Sequence, residues 1–166
     1  MENIVLIGMP GAGKSTVGVI LAKVLGMSFI DSDLLIQEQE GMLLKDIIKK
    51  KGQQGYLEIE NQVNRDISVQ NTVIATGGSV VYCAEAMENF REKAKVVYIK
   101  LGYNTISKRL GNIRQRGVVL RDGQTLLDLY NERCPLYEKY AHITVEAEGL
   151  GIEELMEKIG AEIKSA

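Results

Sequence analysis

The stretch GMPGAGKS, residues 8–15, has the spacing G-x-x-x-x-G-K-S of a loop that cradles phosphates. Its glycines let the backbone curl so that its N–H groups face inward, toward an anion at the N-terminus of the following helix. Lys14 can reach the β- and γ-phosphates, and the Ser15 hydroxyl can join a magnesium shell. This loop predicts a site for a nucleoside triphosphate with Mg²⁺.

Two alternate carboxylates in FIDSD, Asp31 and Asp33, follow a predicted strand. Ligands bind at the carboxyl ends of parallel strands in open α/β sheets. Asp31 could orient magnesium-bound water or assist deprotonation of an attacking hydroxyl, and Asp33 could accept hydrogen bonds from substrate hydroxyls. The alternative is that one aspartate only caps the helix that starts near Leu34.

The stretch ATGGSVV supplies a second candidate at the same edge of the sheet. Gly77 and Gly78 allow bare backbone to approach a ligand closely, as a substrate floor near the γ-phosphate. The alternative is a plain tight turn with Ser79 as a cap.

Arg133, in ERCPLYEKYA, is the candidate for binding an acidic group. Its planar guanidinium suits a carboxylate because it offers two parallel hydrogen bonds. Pro135 is expected to disturb the helix and re-aim this side chain. The alternative is a surface ion pair with Glu132 or Glu138.

Residues 111–124, GNIRQRGVVLRDGQ, contain three arginines between glycines and lack a clear period. This composition favours a mobile cationic lid over a phosphate site, and the alternative is a solvated surface loop. No guanine-reading N-K-x-D sequence accompanies the phosphate loop. A small-molecule kinase, which must close over two substrates, is therefore favoured over a GTPase.

Strands and helices alternate along the chain, which predicts an α/β fold with a parallel sheet. The predicted strands are 3–8, 27–31, 72–76, 95–101 and 142–147. The predicted helices are 14–26, 33–40, 43–51, 54–69, 84–93, 104–110, 124–140 and 151–164.

Composition is that of a single globular domain: 166 residues, 45% hydrophobic and 25% charged. The net charge of -2 argues against a general nucleic-acid or membrane-surface binder, and no signal peptide is expected. Two cysteines are too few for a disulfide framework, so reduced thiols and a cytoplasmic location are expected.

Taken together, these pieces resemble the shikimate kinase family over nearly the whole chain. The matching motifs are G-x-x-G-x-G-K-S at 8–15, D-x-D at 31–33, T-G-G at 76–78, a lid arginine at Arg116 and R-x-P-L-Y at 133–137. The resemblance implies a P-loop kinase fold: a three-layer sandwich whose five-stranded parallel sheet has the order 2-3-1-4-5, with helices on both faces. It also implies a single nucleoside-monophosphate-kinase-like domain over 1–166, with a helical substrate-binding region at about 33–62 and the lid at about 111–124.

The resemblance further implies transfer of the γ-phosphate of ATP to a shikimate hydroxyl, with Mg²⁺, by a monomer. The catalytic residues would be Lys14, Asp31 and Arg116. Residues at the nucleotide would be Gly11, Ala12, Gly13, Lys14, Ser15, Thr16, Arg109 against the adenine, and Arg116. Ser15 and Asp31 would serve the magnesium, and the acceptor would contact Asp33, Gly77, Gly78 and Arg133.

The main departure is Leu57, which stands where the family motif G-E-x-x-F-R-x-x-E has a second carboxylate-binding arginine; here the stretch is GQQGYLEIE, 52–60. Losing one charge-assisted contact of roughly 1.5–3 kcal/mol lowers affinity by about one to two orders of magnitude. Arg65 is a possible substitute. Shikimate remains the first candidate acceptor, with homoserine as the alternative and a nucleotide-binding regulatory module without turnover as a third.

Overall fold

The computed structural model describes residues 2–111 and 121–165. In these ranges the chain forms five strands, seven α-helices and one 3₁₀ turn, Val80–Tyr82. The strands are β1 (Asn3–Ile7), β2 (Ser28–Asp31), β3 (Thr72–Ala75), β4 (Ala94–Lys100) and β5 (Ile143–Glu146). The helices are α1 (Lys14–Leu25), α2 (Ser32–Glu40), α3 (Leu44–Arg65), α4 (Ala84–Lys93), α5 (Tyr103–Leu110), α6 (Leu126–Tyr140) and α7 (Ile152–Ser165).

The strands form one parallel sheet in the order β2-β3-β1-β4-β5, which confirms the predicted fold. Val5 in the central strand pairs with Ile74 on one side and Val96 on the other. Residues 4–7 of β1 are at most 1% exposed, so both faces of the sheet are covered. Helices α1 and α7 pack against each other, as do α4 and α6.

Glycines end or bend the helices at the predicted places. Gly41 ends α2 in a left-handed conformation, and Gly52 (φ 73°, ψ 174°) kinks α3. The predicted helices 43–51 and 54–69 are therefore two segments that meet at this kink, and the second ends at Arg65 rather than at 69. Pro135 lies inside α6, which continues to Tyr140, so the predicted disturbance of this helix is wrong.

Helices α2 and α3 have a small hydrophobic core of their own. It contains four buried side chains, those of Ile36, Ile47, Tyr56 and Val63. This cluster is distinct from the main core around the sheet, so the two helices hold together beside the sheet edge. None of the described helices is long and apolar enough to span a membrane.

Candidate active site

The phosphate loop connects β1 to α1 and holds its lysine close to its own backbone. Gly13 caps α1 in a left-handed conformation (φ 87°), which glycine adopts without strain. The Lys14 ammonium donates to the carbonyl oxygens of Gly8 (2.7 Å) and Met9 (2.8 Å). Burial lowers the pKa of Lys14 to about 8, against the opposing effect of the Asp33 carboxylate. A charged donor is thus placed inside the loop.

Sheet register brings the predicted site segments to one edge. Asp31, the last residue of β2, is level with Ala75 in β3, which is level with Leu6 in β1. The Thr76 hydroxyl then donates to the Leu6 carbonyl (2.8 Å), tying the residue after β3 to the strand before the phosphate loop. The phosphate loop, the two aspartates and the turn formed by Gly77 and Gly78 (the glycine turn) therefore begin at the same edge of the sheet.

The two aspartates have different tasks. Asp31 accepts hydrogen bonds from the Ser15 hydroxyl (2.6 Å) and from the backbone N–H of Asp33 (2.9 Å), so it caps α2 and also contacts the phosphate loop. Asp33 lines the cavity beside the loop instead. Burial, and then the charge of Asp31, raise the pKa of Asp33 to about 6. The capping alternative holds for Asp31 and leaves Asp33 available for a ligand.

The glycine turn is bare because its neighbours leave no room for side chains. A Cβ on Gly77 would lie 2.5 Å from Oδ1 of Asp33. A Cβ on Gly78 would lie 2.5 Å from Cδ of Pro10 and 3.0 Å from Nη1 of Arg133. A side chain at either glycine would displace Asp33 or Pro10, so the absence of side chains lets the phosphate loop, an aspartate and an arginine approach one short backbone segment.

Arg133 reaches this turn from α6 and is 1% exposed, so a surface ion pair does not describe it. Glu132 and Glu138 pair with Arg121 and Lys100, respectively. The guanidinium of Arg133 lies on the wall of the cavity beside the phosphate loop, where its planar fork could bind an acidic ligand through two parallel hydrogen bonds.

One cavity of about 420 Å³ unites most of the predicted site. Nine of the predicted residues line it: Gly11, Gly13, Lys14, Ser15, Thr16, Asp33, Gly77, Gly78 and Arg133. Ala12 and Arg109 line a neighbouring cavity of about 290 Å³, to which Gly13 and Thr16 also contribute. Arg109 donates to the carbonyl of Gly11 (3.2 Å). Arg116 lies outside the described residues, as does most of the predicted lid.

Two side chains that support the turn were not predicted as site residues. The Tyr137 hydroxyl donates to the carbonyl of Gly78 (2.6 Å). The Ser79 hydroxyl donates to Oε1 of Glu60 (2.6 Å), so Ser79 does not serve as a helix cap. Sequence signals existed, because Tyr137 and Glu60 both belong to motifs quoted above. Their spacing, however, does not tell which backbone atoms they reach.

Leu57 and Arg65 lie in places that the sequence did not predict. Leu57 lines a separate cavity of about 310 Å³, together with Tyr82 and Arg121. Arg65 is exposed and donates to Asp66 and Glu85, on a surface away from the acceptor cavity. The hypothesis that Arg65 replaces the missing arginine is therefore wrong.

Comparison with known proteins agrees with this arrangement. A family model described as "Shikimate kinase" matches residues 10–164. Proteins named shikimate kinase from Sulfurihydrogenibium sp. (35% identity, 99% of both chains) and Thermodesulfovibrio yellowstonii (36%, 96% of this chain and 93% of the relative) are similar. A shikimate kinase structure from Acinetobacter baumannii in complex with shikimate superimposes with a TM-score of 0.91 at 34% identity, over 99% of this chain and 94% of that one. The family model matches nearly the whole chain, and relatives about 35% identical align over nearly their full length. The chain therefore belongs to the shikimate kinase family.

Proposed function

We propose that this chain transfers the γ-phosphate of ATP to a hydroxyl of shikimate, giving shikimate 3-phosphate for aromatic amino acid biosynthesis. The observation that carries the proposal is the single cavity in which the phosphate loop meets Asp33 and the buried Arg133. A kinase needs this proximity, because donor and acceptor must be held together for in-line transfer. The relative from A. baumannii, described with shikimate, supports the choice of acceptor.

Three side chains would bind the reacting groups and assist the transfer. Lys14 would stabilise charge on the transferring phosphate, and Arg133 would hold the acceptor carboxylate with its planar fork. Asp33 would hold the acceptor hydroxyl and take its proton as the oxygen attacks phosphorus. With a pKa of about 6, Asp33 is mostly ionised at neutral pH and still basic enough to accept a proton. Both oxygens of Asp31 are already engaged, so it suits an organising role better.

Magnesium fits the donors that are present. Ser15 and Asp31 offer a hydroxyl and a carboxylate 2.6 Å apart, and hard oxygen ligands are what Mg²⁺ prefers. When bound, Mg²⁺ would neutralise phosphate charge and orient the phosphate oxygens.

The nucleotide base would occupy the neighbouring cavity. Arg109 lies on its wall, and a guanidinium plane stacks well on an aromatic ring. Ala12 and Thr16 line the same space, between the phosphate loop and α7. We propose adenine for this position, so ATP is the expected donor.

An ADP-release assay with a panel of hydroxy acids tests the proposal. Turnover with shikimate, dependent on Mg²⁺, is the expected result. Turnover only with homoserine would move the function to the alternative, in which Arg133 takes the carboxylate and Asp33 the ammonium. ATP binding without turnover for any acceptor would identify a regulatory module instead.

Leu57→Arg separates the two acceptors most sharply. The new guanidinium would lie one helical turn from Glu60, which could orient it as a second cation for a carboxylate. We expect the KM for shikimate to fall by roughly tenfold, in line with one charge-assisted contact. If homoserine is the acceptor, the same change should lower kcat/KM, because the cation repels the ammonium group.

Leu57→Met is the matched control, since it keeps an apolar side chain of similar volume. It should leave both KM values near those of the wild type. Strong wild-type turnover of shikimate that Leu57→Arg does not improve would show that the pocket holds its carboxylate without help at this position.

We also propose that residues 111–124 close over the site, with Arg116 at the transferring phosphate. The segment contains three arginines, and the phosphates of a bound nucleotide would attract a cationic segment of this kind. Hydrogen exchange in 111–124 should slow when an ATP analogue and shikimate are both present, and less with either alone. Equal exchange with and without the ligands would contradict a gating role.

We propose that the protein is a cytoplasmic monomer that binds neither nucleic acid nor membranes. Both cysteines are free, as expected for reduced thiols. The large exposed hydrophobic side chains of the described residues are scattered over several elements, among them Val24 on α1, Leu127 on α6 and Ile152 on α7. Light scattering at micromolar concentration would test the monomer.

A further inference from the structure

Glu148 is an exposed acid in the loop between β5 and α7, and the proposed mechanism does not use it. Its Oε2 accepts from the backbone N–H of Gly102 (2.9 Å), and its Oε1 accepts from the Thr105 hydroxyl. Gly102 and Thr105 belong to the start of α5, 46 and 43 residues away along the chain. The Glu148 carboxylate therefore fastens the loop after β5 to the start of α5.

This carboxylate takes the place of a local helix cap. In a capping box, an acid at the third helical position reaches back to the N-cap N–H, but in α5 that position is Thr105 and the N-cap is Gly102. Glu148 bonds both of them from another element instead. The bonds from the Thr105 hydroxyl and then from the Gly102 N–H lower the pKa of Glu148, so it is an anion at neutral pH. Its charge therefore also complements the positive end of the helix dipole.

The two segments that Glu148 joins both line the cavity proposed for the nucleotide base. Arg109, near the end of α5, lies on the wall of this cavity of about 290 Å³. Ala147 and Leu150, which flank Glu148 in the loop, line it as well, as do side chains at the start of α7. Glu148 itself lies outside the lining. Its two bonds therefore connect separate parts of the cavity wall from behind.

The other hydrogen bonds of this loop shape it without reaching α5. The N–H of Ala147 donates to the Lys100 carbonyl (2.9 Å), which continues the pairing of β5 with β4. The N–H of Leu150 donates to the Ala147 carbonyl (3.2 Å), and Gly149 between them is left-handed (φ 74°). In the described part of the chain, the bonds to Glu148 are thus the only hydrogen bonds that join this loop to the start of α5.

We propose that Glu148 is a positioning residue for the nucleotide base: its bonds to Gly102 and Thr105 hold the loop after β5 against α5 and so keep the lining of the base cavity in place. The proposal rests on the function proposed above, in which the adenine of ATP occupies this cavity. A site that is already formed loses less conformational entropy when its ligand binds. Loss of these bonds should therefore weaken nucleotide binding, although Glu148 does not line the cavity.

Titration calorimetry with ADP and with pyrophosphate tests the proposal. Glu148→Ala should raise the dissociation constant for ADP by roughly three- to tenfold, in line with the loss of a helix cap. Pyrophosphate has no base and needs only the phosphate loop, so its dissociation constant should not change. Its binding also shows that each variant is folded. The KM for shikimate should stay near the wild-type value, because the acceptor cavity shares no residue with the loop after β5.

Thr105→Val removes one of the two donors and keeps the shape of the side chain, so it should weaken ADP binding by a smaller factor. In the Glu148→Ala background the same change should have no further effect, because the acceptor of its hydrogen bond is already absent. Glu153→Ala is the matched control. Glu153 is an exposed acid beside the same loop that makes no hydrogen bond within the described residues, so this variant should bind ADP as the wild type does.

An unchanged dissociation constant for ADP in Glu148→Ala would overturn the inference. So would an equal loss for ADP and pyrophosphate, which would place the effect at the phosphate loop, or additive effects of Glu148→Ala and Thr105→Val. These measurements need no acceptor, so they decide the inference whichever acceptor the enzyme uses. Absence of shikimate turnover in a wild type that binds ADP as expected would instead contradict the proposed function alone.

Discussion

Replacing Lys14 with alanine is expected to lower kcat by at least about 10²–10³-fold, with a smaller effect on the KM for the acceptor. The ammonium lies inside the loop, where it donates to the carbonyls of Gly8 and Met9 beside the cavity. Charge that develops on the transferring phosphate would draw on this donor in a partly desolvated site, where such contacts are strongest. The measurement is steady-state ADP release with shikimate.

Lys23→Ala is the control, because Lys23 is an exposed lysine in the last turn of the same helix. It should change neither kcat nor thermal stability appreciably. Circular dichroism of Lys14→Ala should show a folded protein, so that lost activity reflects chemistry. Near-normal turnover in Lys14→Ala would contradict the role proposed for Lys14 at the transferring phosphate.

Arg133→Leu should raise the KM for shikimate by about 10²-fold or more, because truncating one partner of a buried charge pair costs roughly 2–5 kcal/mol. The side chain is almost fully buried between α6 and the glycine turn, so no water-exposed arginine at the rim can simply replace it. The change also removes a cation from beside Asp33 and Glu60. Some loss of thermal stability is therefore expected together with the loss of binding.

Arg133→Lys separates the effect of the planar guanidinium, with its two parallel donors, from the effect of the positive charge. Lysine retains the positive charge but not the two parallel donors, so its KM should lie between those of wild type and Arg133→Leu. With the carboxamide of shikimate as acceptor, the KM values of wild type, Arg133→Lys and Arg133→Leu should differ much less than they do with shikimate. If Arg133→Leu binds shikimate as well as the wild type does, the carboxylate is held elsewhere.

Local spacing was enough to predict the phosphate loop, because its function resides in eight contiguous residues. The alternation of apolar strands and amphipathic helices likewise predicted a parallel sheet, and a parallel sheet places the segments after β1, β2 and β3 at one edge. Lys14, Asp33, Gly78 and Arg133 were thus identified from sequence, and they line one cavity. Element boundaries were less accurate, as the end of α3 at Arg65 shows.

Only the tertiary structure decided which partner each polar group has. Ser79 bonds Glu60 across 19 residues of sequence, and Tyr137 bonds Gly78 across 59. Such contacts depend on how helices pack on the sheet, and the spacing within a motif carries no information about them. The same holds for charge: Asp31 and Asp33 are two residues apart, but one caps α2 and the other faces the cavity. Burial and neighbouring charges, which set the pKa of Glu60, exist only once α2, α3 and α6 have packed together around the turn.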